Sequence, residues 1–178
     1  MQELESLDSK GKIELYYADE SRVCTDGYVP YGWQFKDENV YIPSEKAARL
    51  NIFGMITKRN QYKGFTTQES INADRLVDYL DRLSFEVKKK TVVVLDNASV
   101  HRNRKIKEMR KIWEDRGLFL FYLPPYSPEL NPAETLWRIL KGKWIRPADY
   151  NTKDSLFYCT NRDLASVGTN LFVNYSYV

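Results

Sequence analysis

Residues 91–141 contain the pattern that decides the fold of this 178-residue chain. The stretch opens with TVVVLD (residues 91–96) and closes with a proline-rich segment, YSPELNPAETLW (residues 126–137). Between them, a helical pattern predicted to run to Arg116 precedes a second apolar run, LFLFYL (residues 118–123). A strand, a helix and a strand joined by short links form a right-handed crossover, so we expect the two strands to be parallel.

The rest of the chain adds further strands and helices to this unit. Upstream lie short apolar runs, typical of strands, at residues 13–18, 32–35, 40–42 and 49–57. Residues 62–67 follow the last of these closely enough to form a hairpin, so the early strands should be antiparallel. Residues 72–83 have helical spacing. This order predicts an α/β fold in which a mixed central sheet carries helices on both faces.

Three acidic residues occupy positions at which such a fold binds ligands. Asp19 and Asp96 each follow an apolar run, and Glu134 lies in the first turn of a helix that should begin after Asn131. Open sheets bind their ligands at the carboxyl ends of strands. Carboxylate oxygens suit Mg²⁺ or Mn²⁺, and two such ions roughly 4 Å apart stabilise the attacking and leaving oxygens of a phosphodiester. The residues therefore predict a two-metal site for phosphoryl transfer.

Each of these residues also has a purely structural interpretation. Asp19 can simply end a strand at the surface, and Asp96 can begin a turn. Glu134 stands three residues after Asn131, which is the capping-box position for a glutamate. The side chain of His101 is interpreted as packing at the start of a helix and not as a general base. The residue types alone leave these alternatives open.

Composition limits the classes of protein to consider. Hydrophobic residues make up 43% of the chain and charged residues 29%, which is typical of one globular domain with a core. The net charge of +3 neither requires nor excludes a nucleic-acid partner, although residues 101–111 and 138–146 are locally basic. Two cysteines and one histidine exclude a disulfide framework and a histidine-based zinc site. No apolar run approaches the length of a membrane span.

Three segments resemble the motifs of a known family. Residues 95–101, LDNASVH, resemble the second-aspartate motif of mariner-like DDE transposases, a superfamily that includes a bacterial insertion-sequence branch. Residues 123–137, LPPYSPELNPAETLW, are similar to its third-carboxylate motif nearly position for position. Residues 19–21 match the first-aspartate motif. The resemblance extends over residues 12–144.

The resemblance implies a ribonuclease-H-like fold and a specific reaction. The reaction is metal-dependent cleavage of transposon ends and strand transfer into target DNA, with Asp19, Asp96 and Glu134 as the catalytic metal ligands for Mg²⁺ or Mn²⁺. Water is the first nucleophile and the freed 3′-hydroxyl group is the second. Cleavage in trans points to a homodimer, and a prokaryotic host would place the protein in the cytoplasm at the nucleoid.

The sequence also predicts a division of the chain. We interpret residues 1–12 as an arm or linker stub, residues 13–146 as the catalytic domain, and residues 147–178 as a C-terminal extension with a helix at 154–165. Family members carry helix-turn-helix domains before the catalytic domain, and we expect none within this sequence.

Two alternative functions remain at this stage. The first is another nuclease of the same fold, such as a ribonuclease H or a junction nuclease. The second is a DNA-binding or dimerisation remnant of a transposase that has no activity. The proline-rich motif argues against the first, and the presence of all three carboxylates gives no sign of the second.

Overall fold

A five-stranded mixed sheet forms the centre of the protein. The computed structural model describes residues 1–25, 48–124, 127 and 130–175. The strands are β1 (Glu14–Cys24), β2 (Arg49–Ile56), β3 (Tyr62–Thr67), β4 (Thr91–Leu95) and β5 (Leu118–Tyr122). Their order in the sheet is β3-β2-β1-β4-β5. The predicted antiparallel hairpin and the predicted parallel pair are confirmed by the pairing of β2 with β3 and of β4 with β5. The apolar runs at residues 32–35 and 40–42 lie outside the described residues.

Helices cover both faces of the sheet, as predicted. They are α1 (Gln2–Ser9), α2 (Ala73–Glu86), α3 (Arg104–Asp115), α4 (Ala133–Ile139) and α5 (Lys153–Ala165). Buried side chains of α2 and α3 form one core with one face of the sheet, and those of α4 and α5 form a second core with the other. A π-helical turn, Leu140–Trp144, continues α4. No helix in the described part of the chain is long and apolar enough to cross a membrane.

Strand β1 is longer than the sequence predicts, which changes the position of Asp19. The expectation that this strand ends at Asp19 is wrong, since β1 continues to Cys24. Residues Glu14–Tyr17 of this strand pair with β4, whereas residues Tyr17–Cys24 pair with β2. Polar residues are therefore tolerated in the second half, and the apolar pattern stops before the strand does. Because Tyr17 pairs with Val94, Asp19 is level with Asp96 where β1 passes the end of β4.

Helix α3 also differs from its predicted extent. It begins at Arg104 because the side chain of Asn103 accepts a hydrogen bond from the backbone of Lys105. Turns occupy the preceding residues, including His101, whose N–H donates to the carbonyl of Ala98. Its predicted end at Arg116 agrees with the structure within one residue, and Gly117, which follows, has a φ of +91° that glycine adopts readily.

The two ends of the chain contain further helices. Residues 1–12 were expected to be an arm, but most of them form α1. Polar contacts hold it: Glu5 accepts a hydrogen bond from the hydroxyl of Tyr17, and Asp8 accepts one from the backbone of Leu15. Leu4 and Leu7 also pack against the core but are only partly buried, and a single apolar pair in a polar segment is too weak a pattern to predict a helix. The helix predicted at 154–165 is confirmed as α5.

Candidate active site

A cleft at the carboxyl end of β4 brings the three predicted acidic residues together. It has a volume of about 540 Å³, and Asp19, Asp96 and Glu134 all line it. They come from three elements: the middle of β1, the loop after β4 and the first turn of α4. The sheet register and the start of α4 therefore create a site that no single segment of sequence contains.

Asp19 lies on the more buried side of this cleft. The indole N–H of Trp137 donates a hydrogen bond of 3.0 Å to its Oδ2. Burial raises the pKa of Asp19 to about 6, and the negative charges of Asp96 and Glu134 add to the increase. Hydrogen bonds from the backbone of Glu20 and from Trp137 oppose it. Within the described part of the chain, Asp19 forms no ion pair, and the nearby cation Lys141 interacts with it only through its charge.

Asp96, in contrast, is held by a buried histidine. Nδ1 of His101 lies 2.6 Å from Oδ1 of Asp96, and its Nε2 lies 3.4 Å from Oε1 of Glu20. The hydrogen bond from His101 lowers the pKa of Asp96, and a bond from the backbone of Ala98 acts in the same direction. Burial alone would lower the pKa of His101, but the two carboxylates outweigh it and raise the pKa to about 9.

The role of His101 was missed in the sequence interpretation. The residue does precede a helix, but it is only 1% exposed and bridges two carboxylates. The available signal was weak: the chain has one histidine, and it follows Asp96 by five residues through an irregular turn. No regular spacing rule places such a pair in contact.

Glu134 is the most accessible of the three acidic residues. Helix α4 begins one residue later than predicted, with Pro132 and not Asn131 at the N-cap position. The side-chain oxygen of Asn131 nevertheless accepts a hydrogen bond from the backbone N–H of Ala133. The Asn131 side chain also donates to the carbonyl of Ala18, so the start of the helix is tied to β1 next to Asp19. With Pro132 at the N-cap position, Glu134 is the second residue of α4 and not the third, so it does not occupy the capping-box position of the structural alternative. Its carboxylate is exposed at the cleft.

The donor set fits a hard divalent cation. Three carboxylates offer only oxygen ligands, which Mg²⁺ and Mn²⁺ prefer and which a structural zinc site would not use alone. Within the described ranges, no group of three or more His, Cys, Asp and Glu side chains is arranged as a ready-made metal site. The charges of Asp96 and Glu134 nevertheless raise the pKa of Asp19, and a cation would relieve that repulsion.

Basic side chains lie next to the carboxylates. Arg102 lines the same cleft and donates a hydrogen bond of 2.9 Å to the side chain of Asn97. On the other side of Asp19, Arg22 and Lys141 line a second cleft of about 530 Å³. Burial lowers the pKa of Lys141, and the charge of Asp19 opposes this change. The acidic site is therefore flanked by cations that could contact an anionic substrate.

Comparison with sequence families gives one match over most of the chain. The family described as DDE superfamily endonuclease matches residues 14–157. An uncharacterized protein, y4pE/y4sA, of Sinorhizobium fredii (strain NBRC 101917 / NGR234) is 34% identical over 65 residues. That alignment covers 36% of this chain and 44% of the relative.

Solved structures with the same fold include those of a mariner transposase. The catalytic domain of Mos1 mariner transposase superposes with a TM-score of 0.60 at 14% identity, covering 93% of this chain and 76% of that one. The Mos1 mariner paired end complex with Mn gives a TM-score of 0.63 at 17% identity, covering 92% and 52%. The predicted ribonuclease-H-like fold is thereby confirmed. The chain spans about half the length of the protein in that complex.

Proposed function

This chain belongs to the DDE superfamily endonuclease family, and we propose that it is the catalytic domain of a transposase that cleaves DNA and transfers strands. The observation that carries the proposal is the convergence of Asp19, Asp96 and Glu134 on one cleft. These residues are the three that the motif resemblance identifies, and β1, β4 and α4 bring them together across the sheet. The Mos1 complex with Mn, a structure of the same fold, indicates the use of a divalent metal in this family.

The proposed reaction assigns a role to each side chain in the cleft. Asp19, Asp96 and Glu134 would hold two Mg²⁺ or Mn²⁺ ions, which activate the nucleophile and stabilise the leaving oxygen. His101 holds Asp96 in one orientation and keeps it ionised. Asn131 fixes the start of α4 against β1 and so sets the position of Glu134 relative to Asp19. No nucleophilic protein side chain is required, because water and then a 3′-hydroxyl group attack the phosphorus.

The charges around the site support DNA as the substrate. Arg102 lines the cleft of the three carboxylates, and Arg22 and Lys141 line a second cleft, so all three would be available to contact DNA phosphates. Such contacts are independent of base sequence, so recognition of transposon ends would need additional groups. The Mos1 structure is a paired end complex, and we extend that arrangement to this chain as a homodimer that holds two DNA ends.

Crystals soaked in Mn²⁺ test the metal assignment directly. We expect anomalous scattering from manganese between Asp19, Asp96 and Glu134, and its loss in Asp96→Asn. Asp81→Asn is a matched control, because Asp81 pairs with Arg116 and Trp113 away from the cleft. Absence of manganese at high Mn²⁺ in the unmodified protein would favour the inactive-remnant alternative.

An assay with two substrates separates the proposed reaction from that of another nuclease. The protein is incubated with Mn²⁺ and either a pre-cleaved DNA end with a plasmid target or an RNA–DNA hybrid. Joining of the end to the plasmid supports the transposase assignment. Cleavage of the hybrid without any joining would assign the site to a ribonuclease H activity.

A further inference from the structure

The surroundings of Asp19 contain a feature that the three-carboxylate motif does not explain. Asp19 pairs across the sheet with Gly54 of β2, and Gly54 pairs with Gly64 of β3. Two glycines in adjacent strands leave a groove in the sheet beside the carboxylate. The rings of Trp137 and Tyr62 both fill this groove. The indole N–H of Trp137 then reaches Oδ2 of Asp19 at 3.0 Å.

The groove has almost no spare room. A Cβ atom at Gly54 would lie 2.5 Å from Cη2 of Trp137 and 2.8 Å from both the Cε2 and the hydroxyl of Tyr62. Since real Cβ atoms do not approach other atoms this closely, any side chain at this position must displace a ring. Trp137 is only 5% exposed and belongs to the apolar core under α4. The position of the Trp137 ring is therefore fixed by its contact with Gly54 of the sheet as well as by the packing of α4.

This packing gives Trp137 a role beyond filling the core. A neutral donor that binds one oxygen of a carboxylate restricts its side-chain rotamer and leaves lone pairs of the carboxylate, which has about four acceptor sites, available to a metal ion. Hydrogen-bonded neighbours of this kind typically change metal affinity by about 10- to 100-fold when they are removed. Gly54 acts indirectly. Because it has no side chain, the indole ring of Trp137 can lie close to the sheet and its N–H group can reach Asp19.

We propose that Trp137, seated over Gly54, is a positioning residue that orients the carboxylate of Asp19 for a divalent metal ion. The inference rests on the proposed function, since it takes Asp19 to be a metal ligand. It adds two residues to the site: an indole that acts through its N–H group, and a glycine that acts through the absence of a side chain. Neither residue touches substrate or metal.

The second buried indole–carboxylate pair of this protein provides a matched control. Trp113 is fully buried, and its Nε1 donates a 3.1 Å hydrogen bond to Oδ1 of Asp81, outside the cleft. Trp137→Phe and Trp113→Phe therefore remove the same chemical group from similar surroundings. The two variants should lose comparable stability, and only the first should change metal binding.

The experiment measures the dissociation constant for Mn²⁺ by calorimetry, with stability followed in urea. We expect Trp137→Phe to weaken Mn²⁺ binding about tenfold and Trp113→Phe to leave it within about twofold. Equal Mn²⁺ affinity in Trp137→Phe and the unmodified protein would overturn the positioning role while leaving the proposed function intact. Failure of the unmodified protein to bind Mn²⁺ would overturn both.

A second pair of variants keeps the test decisive if Trp137→Phe does not fold. Gly54→Ala retains the indole but forces the ring to move, and Gly142→Ala adds the same methyl group where no atom lies within 4 Å. We expect weaker Mn²⁺ binding in Gly54→Ala and unchanged binding in Gly142→Ala. Unchanged affinity in a folded Gly54→Ala protein would show that the close fit of the ring does not matter to the metal.

Discussion

The two sides of the cleft hold chemically identical carboxylates in opposite ways. On the β1 side, Asp19 is bound by a neutral indole, and burial raises its pKa to about 6. On the β4 side, Asp96 is bound by His101, whose pKa is raised to about 9, and the pKa of Asp96 is lowered. A neutral donor orients a carboxylate without cancelling its charge, whereas a charged donor does both. In the metal-free protein, Asp96 therefore has a charged hydrogen-bond donor, whereas Asp19 has a neutral one.

The largest expected effect is a loss of DNA cleavage, and it applies to the aspartates on both sides of the cleft. Asp19→Asn and Asp96→Asn should each reduce Mn²⁺-dependent DNA cleavage by about 10³-fold, because metal stabilisation of the transition state is worth several kcal/mol. Nicking of a supercoiled plasmid at fixed Mn²⁺ measures the loss. Asp81→Asn should retain activity. A tenfold or smaller loss in one of the two cleft variants would remove that residue from the catalytic set.

The next largest effect is a loss of stability, and it concerns only His101 on the β4 side. His101→Ala should reduce the free energy of unfolding by about 2–3 kcal/mol, because it leaves Asp96 and Glu20 without the buried cation between them. Both carboxylates are partly exposed, with side-chain exposures of 48% and 34%, so water compensates for part of the loss. Urea unfolding at pH 7 without metal measures the change.

A surface ion pair provides the control for that measurement. Lys105 pairs with Asp74 at 2.5 Å, but both side chains are more than half exposed. Lys105→Ala should therefore cost less than about 0.5 kcal/mol. An equal cost for Lys105→Ala and His101→Ala would mean that burial of the histidine adds nothing to the strength of its contacts.

The pH dependence of stability should also come mainly from the β4 side. The folded-state pKa of His101, about 9, lies above its ordinary value of 6.5. Its contribution is therefore fully present below pH 6.5 and is lost as pH rises through 9. We expect the metal-free protein to lose about 2 kcal/mol between pH 7 and pH 9.5. His101→Ala should show a flatter profile in urea unfolding across this window, and an unchanged slope would contradict the assignment.

The sequence predicts the acidic residues of the site better than it predicts the side chains that hold them in place. Asp96, Glu134 and Asn131 lie within the proline-rich and strand-end motifs, whose local chemistry is readable residue by residue. The indole of Trp137 reads only as part of an apolar stripe, because nothing in a helical pattern reveals that its N–H group meets Asp19 from β1. The two residues are 118 positions apart in sequence. Contacts of this kind depend on the register of the sheet, which periodicity does not provide.

The fold shows the same division between regular and irregular features. Strands β2, β4 and β5 and helix α2 follow their apolar patterns. Strand β1 extends beyond its apolar pattern because its second half pairs with β2 but not with β4, and polar residues are tolerated there. Helix α1 has only one apolar pair, Leu4 and Leu7, that packs against the core, and the contacts of Glu5 with Tyr17 and Lys58 add to its attachment. Polar and long-range contacts decide the features that the sequence alone does not reveal.

The smallest expected effect is a change in the free energy of unfolding, and its sign should differ between Asp19 and Asp96. Since the pKa of Asp19 is raised above its ordinary 3.8, its ionised form opposes folding at all pH values above about 6. Asp19→Asn removes this cost and keeps an oxygen that can accept the indole hydrogen bond. The variant should therefore be more stable than the unmodified metal-free protein at pH 8, by about 1 kcal/mol. The gain should be largely lost by pH 4, where the original carboxyl group is protonated in the folded state and close to half protonated in the unfolded state.

Asp96→Asn should change stability in the opposite direction at pH 8. It removes the charge that His101 contacts, so the histidine is left buried with only the longer contact to Glu20. Urea unfolding of both variants at pH 8 and pH 4 in a chelator gives the comparison. If Asp19→Asn destabilises the protein as much as Asp96→Asn does, the two sides of the cleft are electrostatically alike. If the two stability changes have opposite signs, the charge of Asp19 destabilises the metal-free protein. That result is expected of a carboxylate whose charge is stabilised only when a metal ion is bound.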